Sequence, residues 1–261
     1  MIPYFQLTTF NLGPFHIYAW GLLVALGIIT ALGVAERRAK TTGLSAAKLL
    51  DLGIWIVAAA FIGARLFYVF FYDWQNFSAS PSSIVKIWQG GLSSFGGFAG
   101  AALAATLYAR LKKIRLWDYA DAIMYAFPLG LGIGRIGCFL AHLHIGRPNN
   151  SLLAVAFPGG SRLDMGLIES LFGFLLFGIY FFFLRVVQKK LFLPLTMFWY
   201  GSARFIFDFG RATDIIQTDV RYAGLTPAQY GALLLITGAL YLFFTLRQQE
   251  ITPAAVNIKN T

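Results

Sequence analysis

The sequence predicts an all-α integral membrane protein of seven transmembrane helices, with the N-terminus outside, the C-terminus cytoplasmic and the loops elaborated outward. Three observations carry that prediction. Only 12% of the 261 residues are charged, against about 25% in a soluble domain, while 58% are hydrophobic and Phe occurs 26 times. Seven apolar runs, at about 15–35, 49–71, 91–109, 119–140, 165–184, 191–209 and 227–246, each approach the roughly 20 residues that cross a hydrocarbon core. The cations divide unequally between alternate connections, as the positive-inside rule requires of a cytoplasmic and an outer side. Thirteen lie on one side: Arg37, Arg38, Lys40, Lys48, Arg110, Lys112, Lys113, Arg115, Arg185, Lys189, Lys190, Arg247 and Lys259. The longer opposite connections hold five: Lys86, Arg147, Arg162, Arg211 and Arg221. The net charge of +10 is therefore topological, and no nucleic-acid partner is expected.

The first span is preceded by no Lys or Arg, the first being Arg37 beyond it, which is the reverse of a cleaved signal peptide. It is expected to remain as an outside-to-inside helix. The basic turn ERRAKTTGLSAAK leads into the second span, and the outer connection 72–90 follows. Within it PSSIVKIWQ places Ile84, Ile87 and Trp88 where they form either an interfacial amphipathic stretch or an ordinary loop with a belt tryptophan. The third span opens with GGLSSFGGFAG, and RLKKIRL turns the chain back. The fourth span ends in LGLGIGRIG, before the outer connection 141–164. Gly96/Gly100 and Gly130/Gly134 form GxxxG pairs, which serve close helix packing or the approach of backbone N–H groups to an anion. The fifth span carries Glu169, the sixth carries Arg204 and Asp208, and a third outer connection, 210–226, precedes the last span. No repeat or low-complexity tract interrupts 1–261, which reads as one polytopic membrane domain.

Chemistry gathers toward the outer ends of the spans. An arginine in a bilayer is costly and normally faces a polar cavity or a partner, so Arg135 and Arg204 are the leading candidates. Guanidinium forks suit phosphate, and glycine beside them lets a lipid phosphate approach. Asp208 lies four residues after Arg204, on one helix face, where the two can pair. Glu169 could orient an arginine, act as a base, or pair with Arg162. Cys138, His142 and His144 match no zinc spacing, and with His16 the only other histidine no metal site is expected. The single cysteine excludes an internal disulfide.

The run GRIGCFLAHLHIGR resembles the signature G-R-x-G-N-F-x-N-G-E-x-x-G-R of the bacterial phosphatidylglycerol–prolipoprotein diacylglyceryl transferases, with Gly134, Arg135, Gly137, Phe139, Gly146 and Arg147 in register. KIWQGGLSSFGGFAGA resembles the family's KIWxGGMSxHGGxxGA, WYGSARFIFDFGR its YxxxRFxxExxR, and GLTPAQY its GLTxxQ, in the family's order. The resemblance implies transfer of a diacylglyceryl group from phosphatidylglycerol to the lipobox cysteine thiol of a prolipoprotein, at the outer face of the bacterial cytoplasmic membrane. It implies no cofactor. Partners are then phosphatidylglycerol, a prolipoprotein signal peptide and membrane lipids. By the same resemblance Arg135, Arg204 and Glu169 are catalytic candidates, and His142, a new polar group beside them, is a fourth. Gly96, Gly97, Gly134, Gly137, Gly146, Arg147 and Asp208 are the substrate-binding ones. Departures are Phe95 for the family histidine, Cys138 for asparagine, Leu143 for glutamate, Trp20 for tyrosine, Asp208 for glutamate, and LDMGLIE for HPxQLYE. His142 or His144 is then the substitute base. A divergent homologue acting on another lipid or acceptor, and a non-catalytic lipid or lipoprotein binder, are the alternatives.

Overall fold

The computed structural model describes residues 1–13, 15–85, 91–184, 191–215 and 221–257. The chain divides into two compact units, Glu36–Ala120 and Met1–Ala35 with Asp121–Thr261. Among the described residues five helices are long and apolar enough to cross a membrane: α1 (Ala19–Thr41), α2 (Ala46–Tyr72), α5 (Leu116–Leu140), α6 (Met165–Phe183) and, over Pro227–Leu246, α8 (Pro227–Asn257). Their exposed faces carry Phe71, Phe182, Phe183, Leu234 and Phe244, which suits lipid contact. The two other predicted spans form the shorter helices α4 (Ser94–Leu111, 18 residues) and α7 (Phe192–Phe207, 16 residues).

In the Glu36–Ala120 unit, α2 starts where the Ser45 hydroxyl accepts from the Lys48 N–H at 3.4 Å, an N-cap. It packs on α4 through small residues. A Cβ on Gly96 would overlap the Gly63 carbonyl and one on Gly100 the Ala59 carbonyl. Buried Arg65 donates from Nε to the Ile84 carbonyl and from Nη1 to the Gly91 carbonyl, both at 3.0 Å. The short α3 (Trp74–Ala79) and a 3₁₀ turn at Pro81–Val85 occupy the outer connection. Ile84 lies in that turn, whereas Ile87 and Trp88 lie outside the described residues, as do Lys86, Arg185, Lys189, Lys190 and Lys259.

The other unit corrects the expectation of an all-α chain. Strands β4 (Ile145–Pro148), β5 (Ala154–Phe157) and β6 (Gly160–Asp164) fill what the sequence suggests is a loop. β1 (Ile2–Pro3) completes a sheet of order β1-β5-β6-β4, parallel at β1/β5 and antiparallel elsewhere. The physical reason is local. AVAF and GSRLD flank a two-residue Pro158–Gly159 link, with Gly160 at φ +119, so β5 and β6 close as a tight hairpin. β2 (Thr9–Leu12) pairs antiparallel with β3 (Phe15–Tyr18), and α1 consequently starts at Ala19 instead of about residue 15. The helices pack through glycines again: Gly27 against Gly130, Gly137 against Trp20, and Gly173 against Gly132 and Pro128. Tyr125, Leu176, Tyr180 and Phe192 make the hydrophobic core. Within it the Tyr180 and Thr196 hydroxyls lie 3.0 Å apart, and the Thr196 hydroxyl donates to the Met124 carbonyl.

Candidate active site

Glu169 is the hinge of the site. It lies five residues after Asp164, the N-cap of α6, whose carboxylate accepts from the Leu167 N–H at 3.2 Å. Its side chain is 4% exposed and lies between two helices that are remote in sequence. Oε2 meets Arg135 Nε of α5 at 2.8 Å, and Oε1 accepts from Arg204 Nη1 of α7 at 2.7 Å. Arg204 then reaches Asp208 one turn on, Nη2 to Oδ1 at 3.1 Å, and Arg211 Nε approaches the same oxygen at 2.9 Å. Among the described ion pairs, three guanidiniums therefore meet two buried carboxylates, a formal excess of one cation over the anions.

Asp208 is held from three sides. The Thr226 hydroxyl donates to its other oxygen, and Arg221 Nη2 donates to its backbone carbonyl at 3.2 Å. Thr226 is also the N-cap of α8. Its hydroxyl accepts from the Gln229 N–H at 3.2 Å while Gln229 Oε1 accepts from the Thr226 N–H at 2.9 Å. Thr226 thus joins the site through a capping box, T-x-x-Q, that was readable in GLTPAQY but not linked to Asp208 by sequence reasoning. Arg221 had no comparable signal.

The structure brings Arg135, Glu169, Arg204 and Asp208 together. Gly146 belongs near them for a steric reason. A Cβ there would sit 2.9 Å from the Gly210 carbonyl, Leu163 Cβ and the Leu163 carbonyl, so only glycine lets β4 run between β6 and the turn Asp208–Gly210. The pairing of Gly146 with Arg211 and the bond from the Ala212 N–H to the Ile145 carbonyl fix that contact. Gly137 packs against Trp20 of α1, whereas Gly134 has 3.7 Å of space to Val24. Arg147 is exposed on β4. Gly96 and Gly97 lie in the other unit, Gly96 tight against α2, whereas a Cβ on Gly97 would lie 3.6 Å from the Ala60 carbonyl. Phe95 sits there too, half exposed, its ring 6.5 Å from that of Phe67.

His142 and Cys138 take other places. His142 is buried; Nδ1 lies 2.8 Å from Asp164 Oδ2, and Nε2 donates to the Phe5 carbonyl at 2.6 Å. Burial pushes the Asp164 carboxyl above the usual carboxylate range, against the pull of its hydrogen bonds from His142 and Leu167. Cys138 Sγ, also buried, accepts from Arg135 Nη1 at 3.8 Å. Arg162 does not pair with Glu169. It forms a bidentate bridge to Asp214 at 2.9 and 2.6 Å, which holds the Asp214 carboxyl below its ordinary value. His16 bonds Asn11 at 2.7 Å within the β2/β3 hairpin. Among the described residues no three His, Cys, Asp or Glu side chains gather as metal ligands.

The arrangement can cradle an anion between guanidiniums on separate helices. The prolipoprotein diacylglyceryl transferase family model matches residues 8–245. A phosphatidylglycerol–prolipoprotein diacylglyceryl transferase from Francisella tularensis subsp. holarctica (strain LVS) is 32% identical over 251 residues, covering 92% of this chain and 93% of the relative. That of Ectopseudomonas mendocina (strain ymp) is 33% identical over 267 residues, covering 98% and 100%. That of Mannheimia succiniciproducens is 34% identical over 220 residues, covering 81% and 82%.

Proposed function

The chain belongs to the prolipoprotein diacylglyceryl transferase family, and from that premise we propose that Arg135 and Arg204, bridged by Glu169, bind the phosphate of its lipid substrate. Its activity is diacylglyceryl transfer from phosphatidylglycerol to prolipoproteins. The observation that carries the assignment is the surplus charge of the cluster. Among the described ion pairs three arginines face two carboxylates, with Arg135 and Arg204 converging on Glu169 from separate helices, and a phosphodiester monoanion suits such a surround. Arg135 and Arg204 touch the phosphate; Glu169, with both oxygens engaged by guanidiniums, orients them. Asp208 and Thr226 orient Arg204 and Arg211 in turn.

In the reaction the lipobox sulfur attacks as thiolate, its proton passing to solvent. A C–S bond forms at the glycerol carbon, the C–O bond to the phosphate breaks, and the electron pair leaves on oxygen as glycerol phosphate. A cationic surround favours thiolate and offsets the charge gathering on the departing phosphate. His142 is not assigned proton abstraction in this reading, because both ring nitrogens already have partners.

The same reading has α4 and α7 complete seven spans in one membrane domain, N-terminus outside and C-terminus inside, as the cation distribution favours. The substrates are then phosphatidylglycerol and the lipobox cysteine of a prolipoprotein signal peptide, met at the outer face of the bacterial cytoplasmic membrane. Purified protein incubated with phosphatidylglycerol and a lipobox peptide tests the assignment through the diacylglyceryl mass shift on the peptide cysteine. Transfer by the wild type and none by Arg135→Ala or Arg204→Ala is expected. Undiminished transfer by either variant removes the phosphate assignment.

A further inference from the structure

Three of the described helix ends share a device that is unremarkable at one of them and costly at another. After α1, the Leu44 N–H bonds the Ala39 carbonyl and the Gly43 N–H the Lys40 carbonyl, with Gly43 at φ +72. After α4 the same pair of bonds joins Ile114 to Ala109 and Lys113 to Arg110, with Lys113 at φ +50. After α5 it joins Leu143 to Cys138 and His142 to Phe139, with His142 at φ +50. These are Schellman motifs, whose left-handed position favours glycine. In the family signature the residue in register with His142 is glycine, and the residue in register with Asp164 is the proline of HPxQLYE. The two departures touch each other.

We infer that His142 and Asp164 form a positioning pair that locks the end of α5 to the start of α6 and so holds Glu169 between Arg135 and Arg204. The inference rests on the phosphate-site reading above. Asp164 uses one oxygen to cap α6 through the Leu167 N–H and the other to meet His142 Nδ1. His142 Nε2 ties the same junction to the N-terminal segment at the Phe5 carbonyl. Around it, the Met165 N–H bonds the His144 carbonyl at 2.9 Å, and a Cβ on Gly166 would lie 2.7 Å from the Phe139 nitrogen. Glu169 lies five residues, about 7.5 Å, along α6 from this clamp. Arg135 lies seven residues before His142 on α5. On the far side of Glu169, Ser170 Oγ donates to the Gly132 carbonyl at 2.8 Å. The carboxylate is thus held between two fixed points of the α5/α6 seam, and the His142 side is one of them.

The geometry also fixes a proton count. Both ring nitrogens of His142 face acceptors, a carboxylate and a carbonyl. A neutral imidazole has one N–H, so both contacts are hydrogen bonds at once only when the ring and the carboxyl share a further proton. Tyr4, stacked on the imidazole with ring centroids 5.1 Å apart, is the other titratable side chain facing it among the described contacts. The remaining ring neighbours, Phe5, Phe139 and Phe157, carry no charge. Loss of the extra proton removes one of the two hydrogen bonds and loosens the clamp. Asparagine at position 164 escapes this requirement: its carbonyl oxygen still caps Leu167, and its amide N–H donates to Nδ1 of a neutral ring.

The test is transfer by the purified full-length chain, with phosphatidylglycerol in detergent and a lipobox peptide, from about pH 6 to about pH 9.5. The ratio of wild-type to Asp164→Asn kcat removes the titration of the peptide thiol, which both share. The ratio is expected to fall about tenfold across the alkaline range, with Asp164→Asn within about threefold of wild type near neutrality. His142→Gly, whose backbone suits a positive φ, should fold, show kcat lowered about tenfold with KM for lipid little changed, and lack the alkaline limb. A pH-independent ratio, or a His142→Gly enzyme with wild-type kcat at every pH, overturns the inference. Arg135→Ala is measured alongside. Transfer that survives it sinks the phosphate-site reading whatever the ratio does; its loss leaves the clamp to be judged on the ratio alone.

Discussion

Replacing Glu169 by Gln keeps the shape of the side chain and removes the charge on which two guanidiniums converge. At an effective dielectric constant near 20, an ion pair with charge centres about 4 Å apart is worth about 4 kcal/mol before the desolvation of either group is counted. Glu169 holds two such contacts, at 2.8 and 2.7 Å, with its side chain 4% exposed and those of Arg135 and Arg204 19% and 14% exposed. Removing one partner of a buried pair costs about 3–5 kcal/mol, because the cations left behind are not compensated. Glu169→Gln should therefore lower the unfolding midpoint by on the order of 10 °C. The variant also raises the surplus charge of the cluster from one to two, so an anionic lipid should stabilise it more than it stabilises the wild type. At a hundred times its Kd a ligand adds about 2.7 kcal/mol, enough to recover much of the loss. The assay is thermal unfolding in neutral detergent with and without phosphatidylglycerol, run beside a zwitterionic lipid. A companion, Arg135→Met with Glu169→Leu and Arg204→Met, removes the bridge whole and leaves Asp208 opposite Arg211. It should be inactive and yet as stable as the wild type, or about 1–4 kcal/mol more so. An unchanged midpoint for Glu169→Gln, equal lipid shifts in both proteins, or a triple variant less stable than the single one would refute the electrostatic account.

Arg204→Lys should cut transfer at least about tenfold, since a point charge cannot serve Glu169 and Asp208 with separate nitrogens; transfer kinetics check it. Gly96→Ala should destabilise the chain by about 1–3 kcal/mol, because its Cβ would overlap the Gly63 carbonyl, whereas Gly97→Ala, with neighbours at 3.6 and 3.7 Å, should be close to neutral; denaturation compares the two. The Arg162–Asp214 bridge depresses the Asp214 carboxyl, so its stabilisation is present above the ordinary carboxylate value near pH 4 and is lost as pH falls through the lower folded value. The stability difference between wild type and Asp214→Asn should therefore be small and constant at neutral pH and vanish in acid, as pH-dependent unfolding would show.

What was legible in the sequence is what depends on local chemistry. Apolar runs placed five long helices, and the spacing of Arg204 and Asp208 anticipated their ion pair. Arg135 drew attention because a cation among glycines in a hydrophobic run needs a partner. Which partner was not legible. Glu169 reads equally well as an orienting group, a base or a mate for Arg162, and only the packing of α5, α6 and α7 decides for Arg135 and Arg204. The sheet escaped for the opposite reason. Its strands have two to five residues, too short for an alternating pattern to stand out, and β1 pairs with β5 across some 150 residues of chain. The glycines divide as well. Gly96 and Gly137 are explained by close backbone packing, while Gly134 faces space where an added Cβ meets nothing nearer than 3.7 Å.

A buried ionic network is weak support for stability, since apolar side chains of similar volume usually do as well or better. This one spends five charged side chains, from α5, α6, α7 and the turn that follows, and among the described ion pairs its cations outnumber its anions. Such an arrangement suits the anion binding proposed above. It also tells which departures from the family signature the chemistry can absorb. Asp208 in place of glutamate shortens the side chain by one methylene but keeps its charge, and Thr226 and Arg211 reach it. Cys138 in place of asparagine still offers Arg135 an acceptor, a soft one at 3.8 Å. Neither alters the surplus charge that meets the phosphate. The changes at positions 142 and 164 likewise leave that charge alone and act on where Glu169 is held. Phosphate recognition and the proton requirement of the clamp, both as proposed above, are therefore separable by mutation. The first resides in the arginines; the second resides in a His–Asp contact that touches none of them among its described partners.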